Sequence, residues 1–92
     1  TETLSALRKQ IDEIDLNLTE IMAKRMRVSR EIGQYKKEHD MPILQTSRYD
    51  EIIKKRMAEG SSMGMDADFM KAVFEAIHAE SVRQQMEIMG KK

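Results

Sequence analysis

The chain has 92 residues, of which 40% are hydrophobic, 35% are charged and only 4% are aromatic. Its 16 basic and 16 acidic side chains leave a formal net charge of zero, which argues against a general electrostatic attraction to nucleic acid or to an acidic membrane. It contains no Cys and no apolar run of signal-peptide or membrane-spanning length. We therefore expect one all-α domain over residues 1–92, cytoplasmic, with neither nucleic acid nor membrane as a partner.

The first predicted helix runs from Leu4 to about His39 and is too long for a compact chain of this size. Its apolar residues recur at alternating spacings of three and four and form an apolar stripe on one face: Leu4, Leu7, Ile11, Ile14, Leu18, Ile21, Val28, Ile32 and Tyr35. Such a helix spans roughly 54 Å, whereas a compact chain of this length has a diameter of about 30–35 Å. We therefore expect the helix to protrude and a second copy of the chain to cover the apolar stripe, in an intertwined homodimer.

Arg25 interrupts the apolar stripe at a position where the spacing demands an apolar residue. Burying a guanidinium without a counter-charge is costly, so the pattern predicts either a neighbouring carboxylate or a pocket for an anion. A polar residue that fixes the register of a coiled coil is the alternative. Ser29 and Lys36 lie on the same face as Arg25, which favours the anion pocket. Arg8 lies roughly 25 Å away along the helix, so only an antiparallel partner helix would bring it to that pocket.

The second predicted helix begins after Ser47 and ends at Gly60. Ser47 and Asp50 fit a capping box at its start, and a glycine is a typical helix stop. Arg48 would occupy the first helical position, where a cation is unfavourable for the helix dipole, which indicates another role for it. Residues 60–64 are predicted to form a loop.

The third predicted helix runs from about residue 67 to residue 88, with Asp66 as its N-cap. His78, Ser81 and Gln85 follow at i, i+3 and i+7 and therefore share one face of this helix. Ser and Gln side chains can be buried when their hydrogen bonds are satisfied, and the edge of a solvated face is the alternative interpretation. No run alternates with period two over the length of a strand.

The polar residues on these inner faces are cations and neutral hydrogen-bond donors. With two His and no Cys, the chain shows no pattern for a nucleophilic triad. It has no metal-binding spacing and no glycine-rich phosphate loop, so we expect neither a metal nor a cofactor. Such a set of residues suits a small polyanion and a reaction that needs positioning and charge stabilisation rather than proton transfer.

Several short stretches, taken in their order and spacing, resemble the all-helical (AroQ-type) chorismate mutases. The matching stretches cover essentially the whole chain and are 7–15, 24–25, 32–36, 42–43, Arg48 and 80–85. The resemblance implies an intertwined homodimer of three-helix chains with two active sites, each built from both protomers. It also implies the reaction, the Claisen rearrangement of chorismate to prephenate. This reaction belongs to the shikimate pathway of aromatic amino acid biosynthesis, and electrostatic and conformational stabilisation would catalyse it without a covalent intermediate.

The resemblance assigns roles to the matching residues. Arg25 and Arg48 would bind the carboxylates of the substrate, together with Arg8 from the other chain. Lys36 and Gln85 would donate hydrogen bonds to the ether oxygen as its bond breaks and negative charge grows there. The predicted catalytic residues are therefore Arg25, Lys36 and Gln85.

Ser81 would lie in the same pocket near a polar group of the substrate. Three other positions near the site depart from the family's pattern. Tyr49 stands where the family usually has the Glu that holds the substrate hydroxyl, and its phenol is a candidate replacement for that contact. Gln45 replaces a carboxylate that is common in the loop before the second helix. His78 occupies a lining position that is more often aliphatic. These departures concern efficiency and fine specificity rather than the reaction class.

Two alternatives stay open at this point. The related lyases that cleave isochorismate to salicylate and pyruvate share the fold and much of the site, and an assay for pyruvate separates them. The second alternative is a non-catalytic dimerisation or regulatory module of a fused shikimate-pathway enzyme. Mutases of this family are often fused to other enzymes, and a chain that starts at Thr1 rather than Met is compatible with such a fusion. A structural coiled coil would tolerate Arg25→Leu, whereas a substrate pocket would lose turnover.

Overall fold

A computed structural model describes residues 3–90, most of which lie in three helices. These are α1 (Leu4–Glu38), α2 (Thr46–Ser62) and α3 (Ala67–Ile88). None of the described residues is in a strand, so the predicted all-α class is confirmed. Helices α1 and α2 each pack against α3, and within the described range they do not pack against each other. The ends of the predicted domain, residues 1–2 and 91–92, lie outside the described residues.

Helix α1 protrudes, as its length predicts. The chain extends 57 Å along its longest axis, and its radius of gyration is 16.5 Å, against about 12 Å for a compact chain of this length. Thr3 caps the helix by accepting a hydrogen bond from the Ala6 amide at 3.1 Å. Every residue from 3 to 24 is exposed, and so are all nine residues of the apolar stripe. Nothing in the described part of the chain therefore covers the stripe.

Helix α1 ends in a tight reversal of the chain. Asp40 adopts a left-handed conformation with φ of 54°, and the Met41 amide donates to the Lys36 carbonyl at 2.8 Å. This closure is a Schellman motif, in which Asp can take the left-handed position because its short polar side chain tolerates that conformation. The reversal carries the chain back over the helix, so that the Lys36 ammonium donates to the Ile43 carbonyl at 2.6 Å.

The predicted start of α2 is wrong by two residues. The helix begins at Thr46, and Gln45 occupies the N-cap position with extended backbone angles and no side-chain capping hydrogen bond. Ser47 is therefore already inside the first turn, where its hydroxyl cannot cap the helix, and it forms no capping box with Asp50. Arg48 is the third helical residue rather than the first, still within the turn where a cation is unfavourable.

The predicted end of α2 is also wrong, because Gly60 lies inside the helix. The helix continues to Ser62, and Gly64, with φ of 85°, supplies the left-handed residue after it. The Met65 amide donates to the Gly60 carbonyl at 2.9 Å and closes a second Schellman motif. Gly60 is glycine for another reason, since a Cβ at this position would overlap the Met70 side chain on α3. The predicted loop over residues 60–64 is thus shorter than expected.

Helix α3 is confirmed, with Asp66 as its N-cap accepting a hydrogen bond from the Phe69 amide at 2.9 Å. Among the described residues the buried apolar side chains are Ile53 and Met70, where α2 crosses α3. Where α1 meets α3, the buried side chains are polar, namely those of Ser29, Ser81 and Gln85. None of the described helices combines the length and apolar character needed to cross a lipid bilayer.

Candidate functional site

A cavity of about 460 Å³ lies where α1, α3 and the start of α2 meet. Polar side chains from all three helices and from the loop before α2 line it: Arg25, Ser29, Tyr35, Lys36, Gln45, Arg48, Tyr49, His78, Ser81 and Gln85. Six of the seven predicted site residues are in this set, and Arg8 is the exception. The single chain thus brings together most of the residues that the sequence singles out.

Arg25 projects from α1 toward α3 and meets a neutral partner there. Its Nη1 donates to the Ser81 hydroxyl at 2.6 Å, and that hydroxyl lies 3.7 Å from the Met26 sulfur. No described carboxylate forms an ion pair with this guanidinium. Burial lowers the pKa of Arg25, and the neighbouring charges of Arg56 and Arg48 lower it further. A guanidinium remains charged in proteins, so the cavity contains an uncompensated positive charge that an anion would stabilise.

A chain of hydrogen bonds fixes the orientation of the Gln85 amide. The Lys36 ammonium donates to Gln85 Oε1 at 2.9 Å, and Gln85 Nε2 donates to the Ser29 hydroxyl at 3.1 Å. Ser29 in turn lies 3.3 Å from the Ser81 carbonyl, to which it donates. Because an ammonium can only donate, the Gln85 oxygen faces Lys36 and its amide nitrogen faces away, with a second N–H left over for a ligand. Burial lowers the pKa of Lys36.

Two residues that support this network are not among the seven predicted site residues, although the sequence already places Ser29 on the face of α1 that carries Arg25. Ser29 is buried and accepts from Gln85, and Gly33 is buried one turn further along α1. A Cβ on Gly33 would lie 3.1 Å from the Gln85 Cα, which is closer than normal packing allows, so glycine permits α3 to approach α1 here. The available signal is the recurrence of Arg25, Ser29 and Gly33 every four residues along one face of α1.

Arg48 lies at the rim of the cavity. Its Nη1 pairs with Glu51 Oε1 at 2.8 Å, and both side chains are largely exposed. Exposed ion pairs of this kind contribute about 0–1 kcal/mol, so a carboxylate ligand can displace Glu51 at little cost.

Tyr49 and His78 form an aromatic wall on the side of the cavity where α2 faces α3. Their ring centroids are 4.2 Å apart, and the Tyr49 hydroxyl donates to Glu75 Oε2 at 3.3 Å. Burial, followed by the charge and hydrogen bond of Glu75, raises the pKa of Tyr49, so the phenol keeps its proton. Burial, followed by the positive charges of Arg25 and Lys36, lowers the pKa of His78, so the imidazole is neutral at neutral pH.

Arg8 lies on the uncovered half of α1 and is exposed. At 1.5 Å per residue it is roughly 25 Å from Arg25 along the same helix. The single chain therefore does not bring Arg8 together with the other predicted site residues.

The fold and the cavity define an all-helical protein with a cavity lined by cations. Comparison with known proteins identifies its family. The chain belongs to the chorismate mutase type II family, whose sequence profile matches residues 7–86. This match confirms the predicted family.

The relatives include both fused and shorter proteins. The T-protein of Enterobacter agglomerans is 32% identical over 78 residues, which cover 85% of this chain and 21% of that protein. A 4-amino-4-deoxychorismate mutase of Streptomyces pristinaespiralis is 28% identical over 87 residues, covering 95% of this chain and 67% of that protein. The bifunctional chorismate mutase/prephenate dehydratase of Buchnera aphidicola is 26% identical over 88 residues, which cover 96% of this chain and 23% of that protein. The chain thus spans about 21% of the length of the T-proteins that it matches.

Proposed function

We propose that this chain catalyses the Claisen rearrangement of chorismate to prephenate. The observation that supports this most directly is a cavity in which Arg25 and Lys36 have no carboxylate partner among the described residues, in a chain of the chorismate mutase type II family. The substrate carries two carboxylates and an ether oxygen, and the cavity offers cations for the former and donors for the latter.

In this mechanism the chain positions the substrate and stabilises charge. Arg25 and Arg48 bind its carboxylates, bidentate geometry being available to each guanidinium, and so hold the reactive conformer. Lys36 and Gln85 donate to the ether oxygen, where negative charge grows as the carbon–oxygen bond breaks. The rearrangement is intramolecular, so it needs neither a nucleophile nor a net proton transfer. Ser81 lies beside Arg25 and contacts a polar group of the substrate.

We also propose that the active assembly is an intertwined homodimer. The accessible surface of the chain is 7155 Å², whereas a compact monomer of 10.7 kDa exposes about 5500 Å². The excess accessible surface includes the uncovered apolar stripe of α1. In a two-fold dimer the same surface of both protomers meets, so the stripe of one chain would pack against the stripe of the other. An antiparallel partner helix would bring Arg8 to the other protomer's cavity, where it would bind a substrate carboxylate.

The short span of the chain within its relatives supports a further point about domain organisation. The T-protein and the chorismate mutase/prephenate dehydratase are each several times longer than the matched segment. We infer that residues 1–92 form a single mutase domain within, or associated with, a longer aromatic-pathway enzyme.

The test is the loss of the ultraviolet absorbance of chorismate, with the product identified as prephenate. The wild-type chain should convert chorismate, and Arg25→Ala should lower kcat/KM by roughly 100-fold or more, since it removes a preorganised charge. Arg30→Ala is the matched control, because Arg30 lies on the same helix but donates to Gln84 and does not line the cavity.

Each other outcome points to a definite alternative. Full activity of Arg25→Ala would refute the site assignment. Release of pyruvate from isochorismate would identify a lyase. A folded dimer that converts neither compound would identify a non-catalytic regulatory module.

A further inference from the structure

The charged residues of α1 are segregated along the helix. Residues 12–20 carry four acidic side chains and no basic one, whereas residues 24–30 carry four basic side chains and no acidic one. We call these segments the acidic block (Asp12, Glu13, Asp15 and Glu20) and the basic block (Lys24, Arg25, Arg27 and Arg30). The helix dipole does not account for this order, because its effect is confined to the terminal turns and the first turn of α1 contains no acidic residue.

Most of these charges have no counter-charge within the described part of the chain. All four ion pairs of the described residues lie on α2 and α3. Arg25 and Arg30 donate to neutral side chains of α3. The acidic block, together with Lys24 and Arg27, is exposed and forms no ion pair with a described residue. These exposed charges are therefore available to a partner helix.

Two members of each block lie on one flank of the apolar stripe. At 100° per residue, the four side chains fall within about 60° of one another beside the stripe, and they are Glu13, Glu20, Lys24 and Arg27. When a two-fold axis relates two antiparallel helices, the same flank of both copies meets on one side of the contact. An antiparallel pair of α1 helices thus sets the acidic block of each copy beside the basic block of the other. A parallel pair would set each block beside its own copy.

We propose that a second copy of the chain docks antiparallel on α1, with Glu13 and Glu20 of each chain paired to Arg27 and Lys24 of the other. This inference rests on the proposed homodimer and adds the charges that fix its direction and register. Flanking charges set the orientation of paired helices in this way, because the opposite orientation brings like charges together.

The two pairs define where the two-fold axis crosses α1. The midpoint of each pair falls within about one residue of Ile21, so both pairs are compatible with a single axis. The same axis sets Arg8 of one chain opposite the turn of the other chain that contains Tyr35, which lines the cavity. Charge pairing and the proposed contribution of Arg8 to the site therefore require the same register.

The test mixes the wild type with a variant in which the four flank charges are exchanged. The variant carries Glu13→Lys, Glu20→Lys, Lys24→Glu and Arg27→Glu, so its formal net charge stays zero. The two proteins are unfolded together in urea and refolded, and native mass spectrometry measures the share of heterodimers. Each homodimer keeps opposite charges together, whereas a heterodimer sets like charges together. Heterodimers should therefore fall to about 10% or less of all dimers, against about half for random pairing.

An exchange of four exposed charges on α2 and α3 is the matched control. It combines Asp50→Lys, Asp68→Lys, Lys55→Glu and Lys71→Glu, and it should give about half heterodimers with the wild type. High salt should raise the heterodimer share of the α1 exchange toward the same value, because it screens exposed charges. Thermal unfolding verifies that each variant is folded, and Glu20→Lys with Lys24→Glu repeats the test with fewer changes.

Each other result would overturn the inference. Random pairing of the wild type with the exchanged variant would show that these charges do not fix the register, and a heterodimer share above half would indicate parallel helices. A wild type that stays monomeric would refute the homodimer as well. The chorismate assay decides the mutase proposal separately, because it measures turnover whatever the pairing of the chains.

Discussion

At the scale of single residues, the Gln85 amide shows how neighbours prepare a side chain for its proposed role. Gln85 is 7% exposed, with both its oxygen and its nitrogen engaged by Lys36 and Ser29. A donor held in place before the substrate arrives loses little entropy when charge develops opposite it, which is the condition for effective electrostatic catalysis. Ser29 and Gly33 therefore contribute to the site without being among the residues proposed to contact the substrate.

Ser29→Ala tests this support. The change removes the acceptor of the Gln85 Nε2–H, which should lower kcat for chorismate by roughly 10-fold with a smaller change in KM, because the donor is misplaced rather than lost. The unpaired buried N–H should also lower the free energy of unfolding by about 1–3 kcal/mol. Ser61→Ala, at an exposed position of α2, is the control. An unchanged kcat in a stable Ser29→Ala protein would show that Gln85 does not need this bond.

His78 predicts a pH dependence of stability. Its pKa in the folded chain lies below the ordinary value of 6.5, because of burial and then the charges of Arg25 and Lys36. As the pH falls below 6.5, the unfolded chain binds the proton more readily than the folded chain, so the free energy of unfolding should fall with it. Urea unfolding at several pH values below and above this point, at constant protein concentration, measures the effect.

The His78→Gln variant isolates this contribution. It should lose less stability than the wild type over the same fall in pH, and His39→Gln is the comparison, because His39 does not line the cavity. Identical pH profiles for the wild type and His78→Gln would contradict the prediction.

At the scale of secondary-structure elements, α3 is the helix against which both α1 and α2 pack. Its contact with α1 is polar and passes over Gly33, whereas its contact with α2 buries Ile53 and Met70 and passes over Gly60. Each glycine lets a helix approach α3 more closely than a side chain would allow. The spacing between the helices, and thus the width of the cavity, depends on these two positions.

Gly60→Ala tests the approach of α2 to α3. The added methyl group would overlap Met70, so the variant should be less stable than the wild type by about 1–3 kcal/mol, despite the better helix propensity of Ala. In a Met70→Ala background the same change should cost little, since the larger side chain is gone. Urea unfolding of the four proteins forms a double-mutant cycle. Additive effects would show that Gly60 and Met70 are not coupled.

At the scale of the whole molecule, the described chain leaves the larger, N-terminal part of α1 uncovered. Residues 3–24 are exposed throughout, although this segment contains six residues of the apolar stripe. Apolar surface of that extent on one helix marks an interface. The proposed homodimer covers it and also supplies the third arginine that the cavity of one chain lacks.

Mixing two inactive variants tests whether Arg8 acts across the dimer. Arg8→Ala and Arg25→Ala chains that exchange subunits form heterodimers with one intact site each, so an equal mixture should recover up to about a quarter of the wild-type activity. A mixture of Lys36→Ala and Arg25→Ala is the control, because both changes fall on residues that line the same chain's cavity and every site stays defective. Absence of recovery in the first mixture, with exchange verified by mass spectrometry, would refute a shared site.

Much of the site follows from local patterns in the sequence. The break in the apolar stripe identifies Arg25, helical spacing relates Ser81 to Gln85, and Asp66 marks the start of α3 correctly. The helical face of Arg25 also identifies Ser29 and Lys36. The resemblance to the mutases adds the proposed roles, which stay predictions. These patterns are informative because helical periodicity depends only on residues within a few turns of each other.

The sequence by itself thus determined the three helices, the protruding length of α1 and the family. Only the tertiary structure decided that Gly60 is a packing position rather than a helix stop and that the amide of Gln85 is oriented by Ser29. Both depend on how closely two helices approach each other, at positions far apart in the chain. Local propensity cannot distinguish a glycine that ends a helix from a glycine that allows a second helix to pack closely, because the distinction depends on the side chains of that second helix.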